Sequence, residues 1–137
     1  MKPKYDLIKD KSGVSINEHC IRVSKNKRLK DDKIRLLAYL HEVFEDTDVS
    51  EDDLYTLGLT RMDVDTLKLL TRYKVMTYRN YIRKIIDSGD MDAIIIKASD
   101  LEDNMDMTRY NRNLTTRDKS LLKRYKIAYH LIRINLK

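Results

Sequence analysis

Through most of this chain apolar residues recur at intervals of three and four, the spacing that puts them on one side of a helix. Ile16, His19, Cys20 and Val23 share a face over 16–25, so His19 points inward. Asp31 or Asp32 opens a helix that runs to about 45, with Ile34, Leu37, Ala38, His41 and Phe44 as its apolar stripe. Ser50 before Glu51, Asp52 and Asp53 predicts the cap of a short helix that Gly58 ends, and Thr60 with Asp63 caps the next, through 72. A further helix covers 77–88 and closes at Gly89. Asp90 caps a helix to about 107 whose Ile94, Ile95 and Ile96 are apolar on every side, the mark of a central position. Thr115 or Thr116 starts a terminal helix that buries Leu121, Leu122, Tyr125, Ala128, Tyr129 and Ile132. Strand-type alternation is absent. The pattern therefore predicts an all-α fold, a single compact bundle of about seven helices forming one domain over 1–137.

Composition narrows the class. At 137 residues, with 42% hydrophobic residues and no apolar run near eighteen, the chain suits one core and no membrane span. Its first residues, MKPKYDLIKDKSG, are basic and lack the apolar stretch of an export signal, and a single Cys20 forms no internal disulfide. Both features lead us to expect a cytoplasmic protein. Charge falls in blocks: eleven Lys/Arg against five Asp/Glu over 1–35, two against nine over 36–70, and fifteen against eight over 71–137. An acidic centre between basic flanks suits a cation site beside an anion-binding rim, although many of these charges are ordinary solvated helix faces.

The acidic block contains HEVFEDT, residues 41–47. His41 lies on the apolar stripe, with Glu42, Glu45 and Asp46 within about a turn of it. A lone core histidine is more often hydrogen-bonded than ligating. The second run, IKASDLEDNMD over 96–106, tips the balance, because Asp100 follows Ile96 by one turn on the same side of an apolar helix. An ionised carboxylate there costs several kcal/mol unless a cation or donors compensate it, and a divalent ion is an economical compensation. Cys20, next to His19 on a helix, points about a hundred degrees away from it, so a Cys–His nucleophile pair is not expected.

At these residues the chain resembles the HD-domain phosphohydrolases, in particular the hydrolase domain of alarmone, or (p)ppGpp, synthetase/hydrolases and their small stand-alone relatives. Lys11-Ser12-Gly13 stands ahead of His19 as the family's basic turn does, and His41-Glu42 falls on its His-Asp pair. Glu45-Asp46-Thr47 matches its Glu-Asp-Thr, and Lys97-Ala98-Ser99-Asp100 with Asn104 matches its Lys-Leu-Ala-Asp and following Asn. The resemblance implies a divalent metal held by His19, His41, Glu42 and Asp100, manganese first, with iron, zinc or magnesium as alternatives. It also implies that Glu45 and Asp46 orient or deprotonate the attacking water. Lys11, Lys25, Lys27, Arg28 and Lys97 are the candidates to neutralise substrate phosphates, and Asn104 to contact a ribose or hold the metal shell. The chain departs from the family at Glu42, which stands in place of Asp, at Asp10 in place of an Arg, and at Leu101 and Asp103 in place of an Arg and a His. The implied function is metal-dependent hydrolysis of a nucleotide or related phosphoester, with a small-molecule partner and no membrane. The alternative is a catalytically silent HD-like module that binds nucleotide or nucleic acid through its basic flanks, and a purely structural bundle is the third reading.

Overall fold

The computed structural model describes residues 16–109 and 113–136, so Lys11 lies outside the described residues. Among them eight α-helices follow one another without a strand: α1 Ile16–Ser24, α2 Asp32–Tyr39, α3 Val43–Asp46, α4 Glu51–Thr56, α5 Arg61–Leu69, α6 Tyr78–Ser88, α7 Met91–Asn104 and α8 Thr116–Arg133. A 3₁₀ turn, Met107–Arg109, follows α7. None is long and apolar enough to cross a membrane.

Most boundaries lie where capping chemistry puts them. Asp31, Thr77 and Asp90 each accept a backbone N–H from the first turn of α2, α6 and α7. Ser50 with Asp53, Thr60 with Asp63 and Thr115 with Asp118 form reciprocal capping boxes at α4, α5 and α8. Gly89 ends α6 at φ 69°, a left-handed conformation that glycine adopts without a Cβ penalty.

One boundary differs from the sequence pattern. The single helix expected from Asp31 to about 45 is two helices, α2 and α3, separated by a turn at Leu40–Glu42. A continuing helix would give the Ala38 carbonyl to the N–H of Glu42. Instead that carbonyl accepts from the His41 N–H at 3.3 Å and from the His41 ring Nδ1 at 2.5 Å. Leu40 and Glu42 settle near ψ 0°, the sparsely populated bridge region between helix and strand. Two consecutive residues, which a helix would set a hundred degrees apart, can then address the same point.

The core is one cluster, with α7 at its centre packed on α1, α2, α5, α6 and α8. Ile94, Ile96, Ala98 and Leu101 of α7 are buried there, which accounts for the unbroken apolar run from Ala93 to Ile96. Burying a side chain the size of Ile or Leu contributes roughly 1.5–3 kcal/mol, so this helix is the best-anchored element available to carry a site. The two halves of the site ride on α7 and on the α1–α3 segment packed against it.

Candidate metal centre

Four side chains converge where α1, the α2–α3 turn and α7 meet. His19 of α1 sets Nε2 2.8 Å from Asp100 Oδ1, and His41 sets its own Nε2 3.2 Å from the same oxygen. Glu42 Oε1 lies 3.6 Å from His19 Nε2 and 3.5 Å from His41 Nε2. One donor atom from each of the four falls within 4.8 Å of the others. His19, His41 and Asp100 are buried, and Glu42 is partly open.

Each imidazole is oriented by its other nitrogen. His19 Nδ1 is 2.5 Å from Asp103 Oδ2, and Arg22 grips that carboxylate with Nε at 2.8 Å and Nη2 at 3.1 Å. His41 Nδ1 faces the Ala38 carbonyl, with the Cys20 thiol at 3.9 Å. An N–H on Nδ1 suits both sets of partners, leaving Nε2 as the inward donor of each ring, the arrangement that metal-binding histidines usually show. Asp100 is braced in turn: Lys97 Nζ donates to Oδ2 at 2.7 Å and Asn104 Nδ2 to Oδ1 at 3.3 Å.

The charges of the cluster respond to one another. Burial alone would lower the pKa of His19, but the Asp100 and Asp103 carboxylates overcome it and raise it to about 9. For His41 burial is likewise outweighed by Asp100, so its pKa also stands well above the usual histidine value. Burial would raise Asp100, yet Lys97 and the two histidines hold it well below the ordinary carboxylate range. Glu42 is held at about 2 by His41, against its burial. Asp46 goes the other way: burial and the neighbouring Glu42 and Glu45 carboxylates push it up to about 8, and its Oδ2 is buried without a hydrogen-bond partner. Burial also raises Glu45, although its Oε1 accepts the Arg72 backbone N–H.

Two protonated imidazoles thus supply the positive charge that two converging carboxylates demand. A divalent ion at the same point would replace those two protons, and the donor set of two nitrogens and two carboxylate oxygens could hold one. The residues fit the group.

Several side chains expected at the site take other positions. Lys97 is buried against Asp100, with its Nζ 4.8 Å from the Tyr81 ring centre, because a buried ammonium needs a carboxylate partner. Lys25 and Lys27 are exposed, and Arg28 pairs with Glu102 and reaches Tyr129 at 3.1 Å. Glu102 is two residues past Asp100, nearly across the helix from it. Asp103 and Arg22 were not foreseen as parts of the site. Their signal was present: Arg22 follows His19, and Asp103 follows Asp100, by three residues, which is contact spacing on each helix. Nor was the approach of Cys20 to a histidine foreseen, since its partner is His41 of another segment and not the adjacent His19.

No family model matches the chain, and no curated protein matches it. A solved structure does. It belongs to a metazoan orthologue of SpoT that hydrolyses ppGpp and plays a role in starvation responses, and it aligns with a TM-score of 0.69 over 90% of this chain and 74% of its own, at 22% identity. This chain has the fold of that ppGpp hydrolase. The resemblance read from the HEVFEDT and IKASDLEDNMD runs therefore holds at the level of the fold. In this version of the ppGpp-hydrolase fold, the α2–α3 turn and the C-terminal half of α7 bring the cluster together.

Proposed function

We propose that the protein is a metal-dependent phosphohydrolase acting on a nucleotide or related phosphoester, similar to the ppGpp hydrolases, with His19, His41, Glu42 and Asp100 as ligands and manganese as the metal. One observation carries the reading: two imidazoles and two carboxylates from three segments aim at one point, and both imidazoles are tied down on the far side. The shared fold with a ppGpp hydrolase supports the substrate class.

A divalent ion held there supplies Lewis acidity toward a phosphoryl oxygen and toward water. The remaining tasks belong to the chain. Asp103 and the Ala38 carbonyl hold the imidazoles in the ligating tautomer, and Lys97 with Asn104 keeps Asp100 from turning. Asp46, on the turn beyond Glu42, has a carboxyl oxygen without a hydrogen-bond partner and, in its ionised form, takes a proton from water as phosphorus is attacked. Glu45 is fixed by the Arg72 N–H and orients the same water. Lys97 supports the site from behind, since its ammonium is already committed to Asp100.

The test is release of phosphate or pyrophosphate from ppGpp and a panel of nucleotides, with manganese added to protein whose metal content has been measured. Turnover that disappears in His41→Ala supports the reading. Metal-loaded protein that turns over no phosphoester, with His41→Ala indistinguishable from it, sinks the enzyme.

A further inference from the structure

Two of the cations expected to meet substrate phosphates are engaged elsewhere, Arg28 with Glu102 and Lys97 with Asp100. Another set is not. Between α6 and α8 runs a groove of about 570 Å³, within the range of small-ligand sites. Ile82, Ile86 and Ala128 lie along it, together with Arg79, Arg83 and Arg124. Among the described residues no carboxylate pairs with any of these three arginines.

Tyr78 lines the groove, and its ring centre lies 6.0 Å from the Nζ of Lys97, which donates to Asp100 of the metal cluster. The Arg124 guanidinium lies 4.1 Å from the centre of the Tyr78 ring, and both Arg124 Nε and the Tyr78 hydroxyl are buried without a hydrogen-bond partner. Stacking on the ring compensates part of the burial of Arg124, but it leaves both polar groups unmatched. Each is a donor: burial pushes the Tyr78 phenol up to about 12, so it keeps its proton. The same ring has the Arg72 guanidinium at 5.5 Å and Lys97 Nζ at 6.0 Å. Tyr78 is therefore a wall shared by the groove, by the residue that fixes Glu45 and by the residue that braces Asp100.

We infer that the α6–α8 groove binds the non-reacting part of a phosphorylated substrate, with an anionic oxygen group on Arg124 and Tyr78 and an apolar body along Ile82 and Ile86. This rests on the phosphohydrolase reading for its substrate class. Two adjacent unmatched donors call for an acceptor, and three unpaired guanidiniums call for an anion. The aliphatic floor calls for something larger than free phosphate. Arg124 and Tyr78 are then positioning residues, which set which phosphoester is accepted.

Calorimetric binding of GDP, guanosine and inorganic phosphate to the full chain in EDTA tests this apart from turnover. GDP should bind more tightly than either fragment, and Arg124→Met should weaken it about tenfold while leaving manganese affinity unchanged. Tyr78→Phe should weaken it less. Arg83→Met, at an exposed position that folding does not depend on, should weaken GDP binding several-fold and covers the case in which the Arg124 variant does not fold. In turnover, the arginine variants should raise KM with kcat nearly constant, as for interactions made equally with substrate and transition state. The inference is overturned if wild-type protein binds no GDP at millimolar concentration, if guanosine or phosphate binds as well as GDP, or if neither arginine variant changes the affinity. Absence of turnover with GDP binding and its arginine dependence intact would sink the hydrolase reading alone.

Discussion

Asp63 and Asp100 look alike at first. Each is a buried aspartate on a helix, and each accepts a lysine ammonium, Asp63 from Lys33 at 2.8 Å and Asp100 from Lys97 at 2.7 Å. Their other partners separate them. Asp63 belongs to the capping box of its own helix, exchanging hydrogen bonds with Thr60 three residues earlier, and its lysine is half exposed. Asp100 draws its partners from α1 and the α2–α3 turn as well as from its own helix, and its lysine is buried. A buried carboxylate served by its own turn is architecture. One that gathers two histidines and a second carboxylate from distant segments belongs to a group that could hold a metal ion.

The largest effect follows directly. Asp100→Asn should abolish tight manganese binding and turnover, and it should destabilise the metal-free protein by about 3–5 kcal/mol, because Lys97 is left buried without its counter-charge. Urea denaturation in EDTA measures the second quantity. If the loss were no greater than that of Asp63→Asn, the distinction between the two aspartates would be empty.

Next comes pH. The raised pKa of His19, about 9 in the folded metal-free protein against 6.5 when free, means that the folded state holds a proton which the unfolded chain releases first. Its contribution is complete below pH 6.5 and is lost as pH rises through 9, on the order of 3 kcal/mol for this group. His41, raised in the same direction, adds to the trend. Metal-free protein should therefore lose stability between pH 6.5 and 9. Saturating manganese should oppose this, since the ion binds the unprotonated Nε2 atoms and its stabilising effect grows over that window. Thermal melts with EDTA and with manganese that fall in parallel would argue against a shared site for protons and metal.

The two aspartates also mark how much could be read in advance. Thr60–Asp63 is a pattern four residues long, and so are the caps at Ser50 and Thr115; with Asp31, Thr77 and Asp90, six helix starts carry a local capping signal. The stripes through His19, His41 and Asp100 were legible for the same reason, since helical period tells which side faces the core. The turn at Leu40–Glu42 was not, because Ile34, Leu37, Ala38, His41 and Phe44 keep helical spacing straight through it; the His41 ring bond to Ala38 that accompanies the break has no signature in the pattern. Which cations find carboxylate partners was equally hidden. Arg28, Lys97 and Arg124 are similar on paper, and only the packing of α6, α7 and α8 decides that the first two find carboxylates while the third does not.

Asp103 gives a smaller effect that tests the bracing of the cluster. Asp103→Asn keeps the shape and removes the charge that holds His19 Nδ1–H, so manganese affinity should fall about 10- to 100-fold with the fold unchanged. Calorimetry against manganese measures this. An unchanged affinity would mean that packing alone orients His19 and that the Arg22–Asp103 pair is incidental.

The smallest effect is expected at Asp63. Asp63→Asn keeps an amide oxygen to accept the Thr60 N–H but removes the charge at the start of α5 and the Lys33 pair, worth about 0.3–1 kcal/mol, with little added by a lysine half in solvent. Its pKa is lowered, since Lys33 and Thr60 outweigh burial, so the sign with pH is opposite to that of His19. This contribution is complete above the ordinary aspartate value near 4 and disappears as pH falls through the lower folded value. Manganese should leave both the cost of the substitution and its pH dependence untouched. A metal-dependent cost at Asp63 would show that the α5 cap and the cluster on α7 are one cooperative unit, and the separation of architecture from site would then fail at the residue where it is most clearly drawn.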